Sequence, residues 1–238
     1  QLHNIALQGP KSRDILKEII WTPSARPRVD EIQWFHFTVG RIGDYNGTAV
    51  LVSRTGYSGE LGYEIFCDFM KERALWHTLW AAGQDLGIRP FGMRAMMSLR
   101  LDKWFGSWAR EFSPDYFPAE TGIDRFIRWN KPVEWVGKAA AMKEKAEGPK
   151  RRLCALIVDA KDADVVAYEP LWIGDKVVGF CSSGGYSHWT GQSVAQAFVP
   201  VELIRDGLEG EIEILGERHR ARMVTAPLWD ADGARMRG

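Results

Sequence analysis

The chain has 238 residues, more than one typical domain and fewer than two, since length divided by about 150 is a soft guide to domain count; one large and one small unit is the expectation. A hydrophobic fraction of 45% beside 26% charged residues is enough to build a core and argues against disorder. Lys plus Arg number 31 and Asp plus Glu number 31, so the basic excess that neutralises nucleic-acid phosphates is absent and no nucleic-acid partner is expected.

His3 to Gln8 predicts a strand that runs through a turn into a helix from Pro10 to Ile19, with the proline where a first helical turn tolerates it. Trp34 to Val39 and Thr48 to Ser53 predict two strands joined by the turn residues Asp44 to Gly47. That hairpin leads into Arg54 to Phe66, RTGYSGELGYEIF, where Gly56, Gly59 and Gly62 interrupt an apolar run at every third position. Glycine there admits conformations and close approaches that a Cβ forbids. Beyond Gly62, strand alternation puts Glu64 and Phe66 on one face, with Tyr63 and Ile65 on the other. A carboxylate beside an aromatic ring suits a flat heterocycle: the ring stacks while the carboxylate accepts N–H bonds from the edge.

Leu75, Leu79, Ala82 and Leu86 predict a helix over 70–86 that carries His77 and stops at Gly87; a second helix is predicted over 92–103, with a methionine-rich face. From Trp104 to Trp135 the texture is aromatic and irregular, with Pro114, Pro118 and Pro132 breaking any long element. Gly137 to Glu147 predicts a short helix, and Gly148-Pro149 marks a domain boundary between 1–148 and 149–238. Beyond it, strands at 153–158, 176–181, 194–199, 211–215 and 219–225 predict a small β-barrel or sandwich.

Cys67, Cys154 and Cys181 form no C-x-x-C pair and the five histidines are scattered, so neither a disulfide framework nor a metal site is expected. No apolar run approaches the ~18 residues of a membrane span, and no membrane partner is expected. The chain starts at Gln1 without a targeting pattern and enters a strand at once, which reads as an N-terminal truncation. Dinucleotide, P-loop, zincin and nucleophile-elbow fingerprints are absent.

ALQGPKS (Ala6 to Ser12), RTGYSGELGYEIF, SLRLDK (Ser98 to Lys103), PAETGI (Pro118 to Ile123) and WVGKAAA (Trp135 to Ala141) occur in one order across essentially the whole chain. In that order they resemble the folate-dependent aminomethyltransferase family, the glycine-cleavage T-proteins. SLRLDKWFGSW, the run from Glu169 to Ser187 and the ending APLWDADGARMR look most like the C-terminal folate region of dimethylglycine and sarcosine dehydrogenases. The resemblance implies an α+β folate-binding aminomethyltransferase-like domain, truncated at its N-terminus, followed by a small C-terminal β-barrel. It also implies a transferase that moves a one-carbon unit from a methylated amine, such as dimethylglycine or sarcosine, to tetrahydrofolate. An upstream FAD domain of the same polypeptide, an oxidoreductase, would first oxidise the amine, in a bacterial cytoplasm or a mitochondrial matrix.

Carried over by position, Glu64 is the carboxylate for the pterin edge, Tyr57 a folate-pocket tyrosine, and Phe105 stands where the dehydrogenases place a tyrosine. Ile65 and Phe66 complete the strand's cofactor-binding set. Trp104, Trp108 and Tyr186, the last expected in a Gly-Gly turn, either line the pocket or serve as structural aromatics. Glu60 is expected to be exposed in a turn, and Arg54 either pairs with a carboxylate or with the glutamate tail of folate, or lies exposed at the strand end. Two departures stand out. Met96 occupies the place of a folate-contacting arginine, and the family's catalytic aspartate lies upstream of ALQGP, so no catalytic residue is assigned. Two other readings remain: a flavin-independent demethylase or glycine-cleavage-type aminomethyltransferase, and a non-catalytic folate-binding scaffold, whose K-G-C-Y-x-G-Q-E motif contrasts with R-T-G-Y-S-G-E-L here.

Overall fold

Alternating apolar residues and one amphipathic helix pair build the first half of the chain, which a computed structural model describes together with the rest, residues 1–238. Strands β1 (Leu2–Gln8), β2 (Ile20–Trp21), β3 (Phe37–Ile42), β4 (Ala49–Ser53) and β5 (Gly62–Asp68) form an antiparallel sheet in the order β1-β5-β4-β3-β2. Helices α1 (Ser12–Ile19) and α2 (Glu72–Gly83) cover one face. Tyr63, Ile65 and Cys67 of β5, Val50 and Val52 of β4 and Leu7 of β1 meet Ile15, Leu16, Leu75 and Leu79 in a single core. The turn after α2 ends at Gly87, whose φ of 80° is the left-handed conformation that glycine adopts without a Cβ penalty.

Helix α3 (Met93–Asp102) follows, then a largely irregular stretch with the short α4 (Pro118–Thr121), then α5 (Lys138–Glu147). Six strands close a barrel: β6 (Arg151–Val158), β7 (Pro170–Ile173), β8 (Lys176–Ser187), β9 (Gln192–Pro200), β10 (Glu209–Ile214) and β11 (Glu217–Val224), in the order β10-β11-β6-β9-β8-β7. Its interior is small and apolar, with Leu156, Leu171, Ala197, Ile212 and Met223 almost wholly buried. The predicted barrel is thus present as a barrel, with β7 added and β8 running on through Tyr186, which lies in a strand and not in a turn. A terminal turn, α6 (Ala234–Arg237), ends the chain.

By contacts the chain divides into two compact units, residues 1–96 with 232–238, and residues 97–231. This division falls inside α3. The change of sequence pattern at 148/149 coincides with the passage from α5 to β6.

Candidate functional site

In the sheet unit, strand alternation leaves one face without a helix. Register aligns Phe37, Ser53, Glu64 and Ala6 in one row across β3, β4, β5 and β1, and Val39, Leu51, Phe66 and Asn4 in the next. Every one of these side chains is half-buried or exposed, whereas the intervening residues are in the core. Glu64 is the only carboxylate in the two rows. Thr55 Oγ1 lies 2.5 Å from Glu64 Oε2 and 3.2 Å from Ser53 Oγ, so the carboxylate is held by a hydroxyl in place of a cation. An acceptor fixed among apolar neighbours is suited to the N–H edge of a planar ring that lies on Phe66 and Leu51. Ile65 is fully buried in the core and presents no side chain to this face. Tyr57 is half-buried in the loop before β5.

The glycine segment is shaped around a residue of the chain itself. A Cβ at Gly56 or Gly62 would come within 2.1 or 2.2 Å of Gln8 Oε1. The Gln8 carboxamide reaches the carbonyls of Thr55 and Tyr63 at 3.4 and 3.3 Å and accepts a bond from Ser58 Oγ at 2.9 Å. Gly59, with φ 80°, takes the left-handed turn between. Gln8 had carried no expectation, although it belongs to the ALQGP motif; together with Thr55 it sets the path that delivers Glu64.

Two neighbouring charges have partners within the unit. Glu60 is no exposed turn carboxylate: its side chain is 13% exposed and pairs with Arg235 at 2.9 Å. Arg54 is not exposed either; it is buried and donates to the carbonyls of Ile32 and Arg237, and burial lowers its pKa. Of Glu60 and Glu64, Glu64 is thereby the carboxylate that faces outward. Along the β1 edge runs a cavity of about 610 Å³, lined by Asn4, Ala6, Trp76, Trp80, Phe91 and Met96. Trp76 and Trp80 stack with centroids 6.3 Å apart.

The barrel unit holds the other named aromatics. Phe105 is half-buried, with its N–H bonded to Arg100 O and its carbonyl accepting from Arg100 Nη1 at 2.9 Å. Trp108 is 85% exposed. Trp104 is half-buried at φ 57°, the left-handed region that a tryptophan rarely enters. Tyr186 is 42% exposed, packs edge-on against His188, and its carbonyl accepts a 2.5 Å bond from Ser98 Oγ. Asp102 is buried; desolvation raises its pKa against the Ser187 hydrogen bond and the charge of His188, which lower it. The three cysteines are free and buried, and desolvation pushes Cys154 up to about 12, where it is no nucleophile at neutral pH.

A helix-backed antiparallel sheet with a carboxylate at the centre of its open face, followed by a small closed barrel, defines an α+β protein of the aminomethyltransferase kind. Residues 1–131 match the GCVT N-terminal domain, and residues 151–230 match the glycine cleavage T-protein C-terminal barrel domain; the chain belongs to this family.

The chain is 39% identical over 222 residues to trimethylamine-oxide aldolase of Ruegeria pomeroyi, covering 93% of this chain and 28% of that protein. It is 36% identical to mitochondrial dimethylglycine dehydrogenase of Mus musculus, covering 98% and 26% respectively. Against aminomethyltransferase of Moorella thermoacetica identity is 32%, covering 94% and 59%. The fold also superposes on the glycine cleavage system aminomethyltransferase T of Bartonella henselae with a TM-score of 0.81 at 23% identity, over 97% of this chain and 60% of that one. The chain therefore spans between about a quarter and three fifths of the relatives it matches.

Proposed function

We propose that this chain is the tetrahydrofolate-binding region of an enzyme that transfers a one-carbon unit from a methylated amine, such as dimethylglycine or sarcosine, within a larger flavin-linked dehydrogenase or oxidase. The observation that carries the reading is Glu64, held by Thr55 on an apolar sheet face of a family whose members include aminomethyltransferases and dimethylglycine dehydrogenase. Tetrahydrofolate, when bound, supplies the nucleophilic nitrogens that accept the carbon. The residues of this chain bind and orient: Glu64 accepts the N–H edge, Phe66 and Leu51 offer the flat apolar surface, and Thr55 fixes the carboxylate.

Ile65 serves from the core side by fixing β5, so that its two neighbours face outward. Met96 lines the cavity beside Ala6, itself the cross-strand partner of Glu64. An apolar thioether there suits ring or methylene contact and cannot replace an arginine's charge. Tyr57, Phe105, Trp108 and Tyr186 are proposed as further folate contacts. No carboxylate of this chain is assigned the proton transfer; that group, like the FAD domain, is proposed to belong to the remainder of the polypeptide. The family boundary is proposed at 148/149, and the compartment as bacterial cytoplasm or mitochondrial matrix; no helix is long and apolar enough to cross a membrane.

Tetrahydrofolate affinity of the intact protein and of Glu64→Ala tests the reading. Loss of one charge-assisted hydrogen bond should weaken binding by about 1.5–3 kcal/mol. Equal tight binding by both proteins would sink the Glu64 assignment.

A further inference from the structure

Two charged side chains bracket the loop that delivers Glu64, and both close on one turn of chain from far along the sequence. Residues 232–238 belong to the sheet unit by their contacts, although they follow the barrel strands. There α6 is built by the N–H groups of Arg237 and Gly238, which bond to the carbonyls of Gly233 and Ala234 at 3.3 and 3.1 Å. At the start of the 54–62 loop, the buried Arg54 guanidinium donates from Nη1 to the Ile32 carbonyl at 3.0 Å and from Nη2 to the Arg237 carbonyl. Near the end of the loop, the two Glu60 oxygens lie 2.9 and 3.0 Å from Arg235 Nε.

Arg235 and Arg237 are neighbours on one short turn, so α6 spans both ends of the loop. The Gln8 carboxamide fills the space at Gly56 and Gly62, and α6 supplies a second, separate support. A buried guanidinium is costly to leave unpaired, so the carbonyls that accept from Arg54 are held where they are. Arg237 adds a contact of its own, with its guanidinium 5.5 Å from the centre of the Trp34 ring. The next residues, Phe35 and His36, exchange backbone bonds with Arg54 at 3.1 and 2.9 Å. Thr55 follows Arg54 directly, and its hydroxyl is the group 2.5 Å from Glu64 Oε2. Fixing Arg54 therefore fixes the stretch of backbone that carries the support of the Glu64 carboxylate.

We propose that Arg54, Glu60 and Arg235 are positioning residues: with the 232–238 turn they form a latch that closes the 54–62 loop and keeps the Thr55 hydroxyl against Glu64 before the ligand binds. This rests on the tetrahydrofolate reading of Glu64. A loop ordered beforehand loses little freedom on binding, so the hydrogen bonds of the carboxylate appear as affinity in place of being spent on ordering the chain. The latch itself touches no ligand and acts through Thr55.

The test uses the intact protein, with tetrahydrofolate as the probe of affinity and amide hydrogen exchange over residues 54–62 as a readout that needs no ligand. Arg235→Ala should raise the tetrahydrofolate Kd about fivefold, the upper range for a partly exposed ion pair, and speed exchange in the loop. Glu60→Arg and Arg235→Glu should each give a loss at least as large. The two together should return Kd and exchange to within about twofold of wild type, a recovery that a general loss of packing would not allow. Combined with Thr55→Val, Arg235→Ala should add nothing to the loss from Thr55→Val alone, because both act on the same carboxylate. If Arg235→Ala does not fold, Glu60→Gln, which keeps the size and one acceptor oxygen, gives the same comparison at smaller amplitude. Unchanged loop exchange in Arg235→Ala and Glu60→Gln, no recovery in the charge swap, or losses that multiply with Thr55→Val would each overturn the latch. A wild type that binds no tetrahydrofolate would sink the proposed function, and the exchange comparison would then decide the latch by itself.

Discussion

The two units solve the same problem, what to do with polar groups near a β-sheet, in opposite ways. The sheet unit is open: β1 and β2 are its edges, helices cover one face, and Glu64 stands on the other with only a threonine hydroxyl for support. The barrel unit is closed: its six strands leave no edge, and Arg100 and Glu111 are packed out of water against β8 and β9. Openness leaves a carboxylate accessible to a ligand. Closure turns charges into a scaffold that holds a loop.

The largest effect should come from making one chemical change in both places. Glu111→Ala leaves the Arg100 guanidinium buried without its carboxylate and should cost about 3–5 kcal/mol, read as a shift of the denaturation midpoint of the barrel unit. Glu64→Ala removes a half-exposed carboxylate and should change stability by no more than about 0.5 kcal/mol, its effect appearing in ligand affinity instead. Equal destabilisation by the two substitutions would erase the contrast between an open and a closed unit.

Glycine substitutions sharpen the comparison next. A Cβ at Gly184 of β8 would sit 2.3 Å from the Val165 backbone carbonyl, and backbone has no rotamer by which to escape. Gly184→Ala should therefore cost about 1–3 kcal/mol through overpacking. At Gly62 of β5 the obstacle is the end of the Gln8 side chain. Gly62→Ala can be relieved by moving Gln8 at the loss of its hydrogen bonds, about 1 kcal/mol, and the accompanying signature is a shift of the 54–62 loop.

Sequence pattern carried the fold where the informative contacts are local. Leu75, Leu79, Ala82, Leu86 and the stop at Gly87 define α2 within three residues of its observed course, and alternation alone turned Glu64 and Phe66 outward. The Asp44 to Gly47 turn places β3 against β4 for the same reason. Pattern failed where a side chain is explained by a residue far along the chain. Glu60 meets Arg235, Arg54 meets Arg237, Gly62 makes room for Gln8, and Arg100 reaches Ser183 and Gln196. Neither periodicity nor composition encodes such pairs. β7 escaped because it is four residues long and opens on Pro170, and Tyr186 was placed in a turn because the glycines beside it imitate one. SLRLDK was legible as a motif, yet the structural task of Arg100 within it emerges only once the barrel strands are in place.

The smallest expected effect concerns Asp102, a buried carboxylate of the same unit whose Oδ1 has no hydrogen-bond partner. Burial raises its pKa in the folded state, and Ser187 only partly offsets that. A carboxyl that binds its proton more tightly when folded adds stability below its ordinary pKa, near 4 by the usual carboxylate range. That contribution is lost as pH rises through the raised folded value, because the charged form is then the one held out of water. Glu144 and Glu169, also raised by burial, tilt the pH dependence the same way. Asp102→Asn removes the charge while retaining an acceptor for Ser187. The variant should melt no more than about 4 °C higher than wild type at neutral pH, with the difference shrinking toward about pH 4. Melting curves of the two proteins across that window decide it: a variant less stable at neutral pH would mean that the folded surroundings favour the Asp102 carboxylate, against the direction that burial gives it.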